Sequence, residues 1–160
     1  MKVVAILMVI VLVASIGGVG YLFLTANVSV TAVGVVATEA EAQLRTFEEL
    51  REDLAQDSLT GTRYRSHVDL TDPAGYQFYT YTVRLRNSSM MLCDMVEIQV
   101  TPREGDVLQM GSERALSLAP RSTGDVSATV LTTVDSSPVR EIIVTYYIWG
   151  IPFSIKTTYG

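Results

Sequence analysis

The 160-residue sequence has few of the residues on which catalytic and metal sites depend. Cys93 is its one cysteine, which rules out an intramolecular disulfide, and His67 is its one histidine, too few ligands for a zinc site. The 12 basic residues form no run beside 17 acidic ones, which argues against nucleic-acid binding. No phosphate loop, dinucleotide fingerprint or Gly-x-Ser-x-Gly turn occurs. We therefore predict a non-enzymatic protein with no cofactor and no metal site.

Two kinds of chemistry are left as alternatives to this prediction. A Cys–His dyad would have to combine Cys93 with His67, and Cys93 could otherwise be a buried small residue or form an intermolecular disulfide. Calcium could be bound where acidic residues share a turn, although such residues more often cap backbone groups. The two candidate pairs are Asp69 with Asp72 and Glu104 with Asp106.

A long apolar run opens the chain and is its strongest signal. Residues 3–24, from Val3 to Leu24, carry no charged side chain, and as a helix they would span about 33 Å, enough for a hydrocarbon core of about 30 Å. Lys2 precedes the run and the next basic residue is Arg45, so the positive-inside rule puts the N-terminus in the cytoplasm. We expect residues 1–25 to be a single-pass transmembrane anchor in the cell membrane and residues 26–160 to form an extracytoplasmic domain.

A cleaved signal peptide is the alternative explanation of this run. Signal peptides have a shorter apolar region, of about 7–15 residues, followed by a small-x-small cleavage site. Residues 30–32 offer such a site, but they lie well beyond the run. Lipidation is excluded because Ser15 stands where the lipid-bearing cysteine would be needed.

One amphipathic helix is expected behind the anchor, after a strand or stalk over residues 27–36. The helix should cover residues 38–57, with Thr38 and Glu41 forming a capping box at its start. Apolar side chains then recur at helical spacing and predict a core-facing stripe. They are Ala40, Leu44, Phe47, Leu50 and Leu54.

From residue 61 onward the hydrophobic pattern has period two, which indicates strands. The inward faces are predicted to hold Tyr79, Tyr81, Val83 and Leu85; Val96, Ile98 and Val100; Val126, Ala128 and Val130; and Ile142, Val144, Tyr146 and Ile148. An earlier strand is expected over residues 64–70 and a last one around Phe153 and Ile155. Pro- and Gly-containing turns separate the strands, with residues 149–152 as a hairpin tip. The fold class is therefore mainly β, an antiparallel immunoglobulin-like β-sandwich with one inserted helix.

In the strand-rich part of the chain, a strand ending in Arg86-Asn87 leads to a hairpin, and Leu118-Ala119-Pro120 precedes a later strand. With these motifs, residues 76–135 resemble the immunoglobulin-like sandwiches of small bacterial surface proteins, including FxLYD and late-embryogenesis-abundant type-2 domains. The Leu-Tyr-Asp signature is absent, and Arg121 stands where those families have glycine after the proline. The resemblance implies a fold and an extracytoplasmic setting, and it implies no catalytic residues.

Aromatic clusters supply the one candidate binding surface. Alternation along the strands would place Tyr76, Phe78, Tyr147 and Trp149 where they could contact a glycan or another protein, although cross-strand packing explains such clusters equally well. Asn27 and Asn87 each begin a glycosylation sequon.

The predicted function is a membrane-tethered structural or interaction module at the cell envelope, with residues 3–24 in the membrane. One alternative is a pilin-like filament subunit, which the missing Glu near the helix start and the three glycines at 17, 18 and 20 disfavour. A further alternative is a glycan- or protein-binding surface domain.

Overall fold

The computed structural model describes residues 2–65, 68–111 and 116–160. Helix α1, Lys2–Leu24, has no fully buried side chain, and Leu22 and Phe23 at its end are partly buried. By length and composition it is able to cross a membrane. The expected apolar helix is therefore present, and it is apolar on every side.

Within the described ranges, nine strands follow α1, interrupted by one α-helix. Their bounds are β1 Val28–Glu39, β2 Gly61–Arg63, β3 Tyr76–Asn87, β4 Cys93–Val100, β5 Asp106–Met110, β6 Leu116–Leu118, β7 Thr123–Thr133, β8 Arg140–Ile148 and β9 Ile151–Tyr159. Helix α2, Leu44–Ala55, lies between β1 and β2. A five-stranded sheet has the order β1-β3-β7-β5-β2, and a four-stranded sheet has the order β6-β4-β8-β9. All the strand pairs are antiparallel.

The two sheets form the predicted β-sandwich. Strands β1, β3, β7 and β5 occupy the positions of the A, B, E and D strands of an immunoglobulin-like domain, and β4, β8 and β9 those of C, F and G. The main core lies between the sheets and contains every inward-facing residue predicted for β3, β4, β7 and β8. Period-two alternation placed these side chains correctly because each strand has one face against the core.

Strand β1 is longer than expected and changes its inward face. It runs to Glu39, pairing with β3 as far as Glu39↔Gln77, and a bulge lies between Val30 and Ala32. After the bulge Val33 and Val35 pack against the core instead of Ala32. An extra residue in a strand reverses the orientation of all that follow, which simple alternation does not anticipate.

The predicted helix exists, but its start was wrong. Thr38 belongs to β1, a 3-10 turn covers Ala40–Gln43, and no side chain caps either helix start. The capping box is therefore absent, because pairing with β3 keeps residues 38 and 39 extended. The stripe does face a core, a second one on the outer side of the five-stranded sheet, although Leu44 is exposed. There Phe47 and Leu50 pack with Phe78 and Leu131.

The strand expected at residues 64–70 is absent from the described part of that range, residues 64–65 and 68–70, while residues 66–67 lie outside the described residues. The structure has the short β2 just before this range, and the backbone N–H groups of Tyr64 and Arg65 both donate to the Val107 carbonyl.

The side chain of Gln109, on β5, bonds to the backbone of β4. Beyond the β4–β6 pairing, it accepts from Val100 N (2.8 Å) and donates to Ile98 O (2.9 Å). The amide thereby takes the place of a neighbouring strand and links the two sheets.

Candidate functional site at the helix-proximal end

The end of α1 packs directly against the sandwich. Only residues 25–27 separate α1 from β1, and Leu22, Phe23 and Ala26 contact the main core. The Phe23 ring lies 5.2 Å from that of Trp149, edge to face, and 6.5 Å from that of Phe153. The helix is therefore joined to the sandwich by aromatic packing as well as by the chain.

The β8–β9 turn presents Trp149 at this same end. Ile148 pairs with Ile151, and the two residues between them, Trp149 and Gly150, have φ of +51° and +78°. Positive φ at both positions is the geometry of a type I′ turn, which favours Asn-Gly. A bulky side chain in the left-handed region costs about 1–2 kcal/mol. The turn lies within the predicted residues 149–152, although Ile151 and Pro152 belong to β9. It carries a residue poorly suited to its backbone, and Trp149 is 61% exposed.

Asn87 holds the neighbouring β3–β4 loop in place. Its buried side-chain amide donates to the carbonyls of Met91 (2.8 Å), Ala119 (3.0 Å) and Leu118 (3.2 Å). Its Oδ1 accepts from Ser89 N (3.0 Å) and Ser89 Oγ (2.7 Å). The side chain of Asn87, which begins one glycosylation sequon, is thus buried, whereas that of Asn27, which begins the other, is exposed beside the end of α1. Such bonding explains why Asn suits the end of this strand, and the sequence showed only the Arg-Asn pair.

Large exposed apolar side chains gather around this end. Register places them together, since Asp94 pairs with Tyr147, and the loop before Asp94 and the turn after Tyr147 both lie beyond that pair. Ser88 N also donates to Asn27 O (2.9 Å), which ties the β3–β4 loop to the segment after α1. We call these residues the apolar rim, and they are Met90, Leu92, Met95, Trp149 and Ile151. Outside α1, the other exposed large apolar residues of the described chain are Val36, Leu44 and Val134.

The charges at this end have a different balance from those of the whole chain, which has a net charge of -5. Among the described residues at this end, Arg86 and Arg121 are exposed beside one exposed carboxylate, Asp94. Hydrogen bonds from Ser117 Oγ and Met95 N keep the pKa of Asp94 below its usual range. Two residues before Arg86 on β3, Arg84 forms a bidentate ion pair with Asp125, so these two charges neutralise one another.

The four aromatic residues predicted as a binding surface do not lie together. Phe78 is 1% exposed in the second core, so it is not available to a ligand, which corrects the expectation for this residue. Tyr76 packs on Phe47 with ring centroids 5.7 Å apart, near the opposite end of the sandwich. Tyr147 is half-buried on β8, and Trp149 is the one exposed member. Phe78 was misplaced because its strand is covered on both faces, and alternation cannot show that α2 covers the second face.

The acidic turns considered for calcium have internal partners. Asp106 forms a buried ion pair with Arg140, at 2.9 and 2.6 Å, and also accepts from Arg103 N (2.8 Å). Asp72 caps the backbone N–H of Ala74 (3.0 Å). No group of three or more His, Cys, Asp or Glu able to hold a metal ion occurs in the described ranges. Asp72 and Asp106 therefore stabilise turns, which is the alternative role that the sequence analysis allowed for acidic residues there.

Of the two residues considered for a Cys–His dyad, the structure describes Cys93. Cys93 is fully buried on β4, and burial raises the pKa of its thiol. His67 lies outside the described residues, so the dyad is neither confirmed nor refuted. A buried thiol with a raised pKa is a poor nucleophile and a poor partner for an intermolecular disulfide.

A groove of about 850 Å³ runs between α2 and the outer face of the five-stranded sheet. Its lining includes three carboxylates, and each has a partner elsewhere: Glu49 with Arg45, Asp53 with Ser58, and Asp125 with Arg84. Residues 112–115, which the structure does not describe, connect two other lining residues, Gly111 and Leu116. Each carboxylate among the described lining residues is therefore engaged in a hydrogen bond or an ion pair.

A scan against protein-family models finds no match for this chain, and a search of curated proteins finds none either.

Proposed function

We propose that the protein is a non-enzymatic, membrane-tethered module in which α1 is a single-pass anchor and the sandwich makes structural or binding contacts at the cell envelope. The observation that carries this proposal is α1 itself. It has 23 residues, no charged side chain after Lys2 and no fully buried side chain. A helix that is apolar on all sides and unburied needs an apolar environment, and a bilayer supplies one.

The orientation follows from the distribution of charge. Lys2 and the amino group precede the helix, and no basic residue follows it until Arg45. We infer that the N-terminus is cytoplasmic and the sandwich extracytoplasmic. Because only residues 25–27 lie between α1 and β1, the domain would be held at the membrane surface.

The proposed kinship with FxLYD and late-embryogenesis-abundant type-2 domains is supported by two structural details. The Asn of the Arg-Asn pair is the buried Asn87 that organises the following loop. Arg121 has φ of +57° in the turn after Pro120, a conformation that favours glycine. A Pro-Gly turn, the pattern of those families, would suit this backbone better.

A protein-binding role is a second candidate, favoured by the free edge of β1. This 12-residue strand pairs only with β3, and it carries neither proline nor a charged residue before Glu39. The other long edge strand, β9, contains Pro152 and Lys156, which discourage strand addition. An extended segment of another protein could add to β1. Val36→Lys should then weaken capture of that partner in crosslinking, whereas equal capture would contradict this candidate.

Fractionation of cells that express the full chain tests the main proposal. We expect the protein to resist alkaline extraction, dissolve in detergent as a monomer, and lose its C-terminal portion when protease is added to sealed cells. Val13→Lys, at the centre of α1, should weaken membrane integration, because one central lysine costs about 2.5–3.5 kcal/mol. Val36→Lys, on the exposed surface of β1, is the matched control and should fractionate normally.

Three outcomes would contradict the proposal. Release by alkali would refute the anchor, and an intact mass lacking the N-terminal segment would indicate a cleaved signal peptide. Protection of the sandwich from protease would refute the orientation, provided that a cytoplasmic marker is also protected and that lysis exposes both. Shearing of the protein from cells as polymers would support a pilin-like subunit instead.

A further inference from the structure

The position of Phe23 places Trp149 at a defined depth relative to the membrane. Residues 3–24 span about the thickness of a hydrocarbon core, so Phe23 in the last turn of α1 lies at its outer boundary. The Trp149 ring is 5.2 Å from the Phe23 ring. If α1 spans the bilayer, Trp149 is held at the level of the lipid headgroups, where tryptophan is enriched in membrane proteins.

Backbone conformation indicates that the requirements of the turns do not explain the exposed apolar side chains at this end. Asp57, Met95, Arg121 and Trp149 are the non-glycine residues with positive φ in the described chain, and the last three lie at the helix-proximal end. Met95 and Trp149 belong to the apolar rim. Asn or Gly would satisfy the Trp149 turn more easily, so the indole needs an explanation other than the turn.

The rim is held in a defined arrangement. Asn87 fixes the loop that carries Met90 and Leu92, and the β8–β9 pairing fixes the turn that carries Trp149. The rim is therefore a set of positioned apolar side chains around the point where α1 leaves the domain. Exposed apolar residues of this kind mark an interaction surface.

Charge also favours an anionic lipid surface as the partner. Arg86 and Arg121 flank the rim, and their long side chains can extend to headgroup phosphates. Several acidic residues lie instead on α2, which covers the opposite half of the five-stranded sheet. The domain thus presents Arg86, Arg121 and the apolar rim towards the side on which α1 would enter lipid.

We propose that the helix-proximal end of the sandwich docks on the bilayer, with Trp149 and the other rim residues inserted among the lipid headgroups. This inference rests on the proposed anchoring by α1. Docking would add a second restraint on the orientation of the sandwich at the membrane, beyond the packing of Phe23 against Trp149. It would also leave the β1 edge and the α2 face directed away from lipid.

The single tryptophan of the chain provides the test. The full-length protein is reconstituted in vesicles of phosphatidylcholine and phosphatidylglycerol, with and without lipids brominated near the top of the acyl chains. We expect bromination to reduce Trp149 emission at least about twofold, as for an indole at the interface. Dissolved iodide should quench it weakly.

Two variants control the measurement. Trp149→Phe combined with Val134→Trp moves the reporter to the opposite end of the sandwich, about 35 Å away along β3, where brominated lipid should not quench it. Met90→Glu with Leu92→Glu adds charge at exposed rim positions without disturbing the core, and it should restore about half or more of the Trp149 emission lost to bromination.

The outcomes separate this inference from the anchor. Protein that resists alkaline extraction but shows no lipid quenching of Trp149 would refute docking and leave the anchor in place. Emission shielded from both iodide and brominated lipid would indicate a protein partner on the rim, which also refutes docking. Loss of the protein from the vesicles under alkali would refute the proposed anchor itself.

Discussion

The buried ion pair between Arg140 and Asp106 should contribute far more to stability than the exposed pair between Arg84 and Asp125. Both are bidentate Arg–Asp contacts between strand regions, but the buried side chains are 1% and 0% exposed and the others 60% and 42%. Arg140 also donates to the turn formed by residues 136–139. Arg140→Met would leave the Asp106 carboxylate buried without its cation, at a cost of about 3–5 kcal/mol.

Arg84→Met, the matched control, should cost less than about 1 kcal/mol, because solvent screens an exposed pair. Arg140→Lys keeps the charge but cannot form the two parallel bonds, and it should fall between the two. Urea denaturation of the full chain in detergent, followed by the near-ultraviolet circular dichroism of its tyrosines, measures all three. Equal losses in the free energy of unfolding for Arg140→Met and Arg84→Met would refute the larger contribution of the buried pair to stability.

Three further predictions concern titration, turn geometry and thiol access. Burial raises the pKa of Tyr81 to about 12, so the stabilising contribution of this residue is complete below about pH 10 and is lost as the pH rises towards 12. Thermal melts should show this loss as a falling melting temperature, and Tyr81→Phe should make the decrease with pH shallower. Arg121→Gly should stabilise the fold by about 0.5–1 kcal/mol in the same urea assay, whereas Arg121→Ala, which keeps the Cβ at φ +57°, should not. Cys93 should resist a thiol reagent until urea is added, while an added Val134→Cys should react at once; labelling of Cys93 in the folded protein would contradict its burial.

Some features of the candidate site were accessible from sequence because they depend on neighbours along the chain. The β8–β9 turn, Trp149 and Gly150 within the predicted range 149–152, follows from turn chemistry between two alternating strands. The inward faces of β3, β4, β7 and β8 follow from period two. The contact between Phe23 and Trp149 was not accessible, because 126 positions separate the two rings and no local pattern relates them. The role of Asn87 was hidden for the same reason, since two of its acceptors lie more than 30 residues away.

The errors share a physical cause, which is competition between local preference and pairing. Thr38 and Glu41 have the residue types of a capping box, yet the β1–β3 ladder extends through residue 39 and delays the helix. Phe78 alternates out of the main core, yet α2 covers that outer face and buries it. In both cases a contact with a distant segment outweighed the local signal.

By itself the sequence determined what composition and short-range periodicity encode: an apolar helix long enough for a membrane, a following β-rich domain, its main inward faces and its turns. The tertiary structure alone decided which polar groups are buried, as with Arg140, Asp106 and Asn87, and which apolar groups stay exposed beside α1. The reason is that burial depends on which distant segments meet, whereas helix and strand patterns depend on residues a few positions apart.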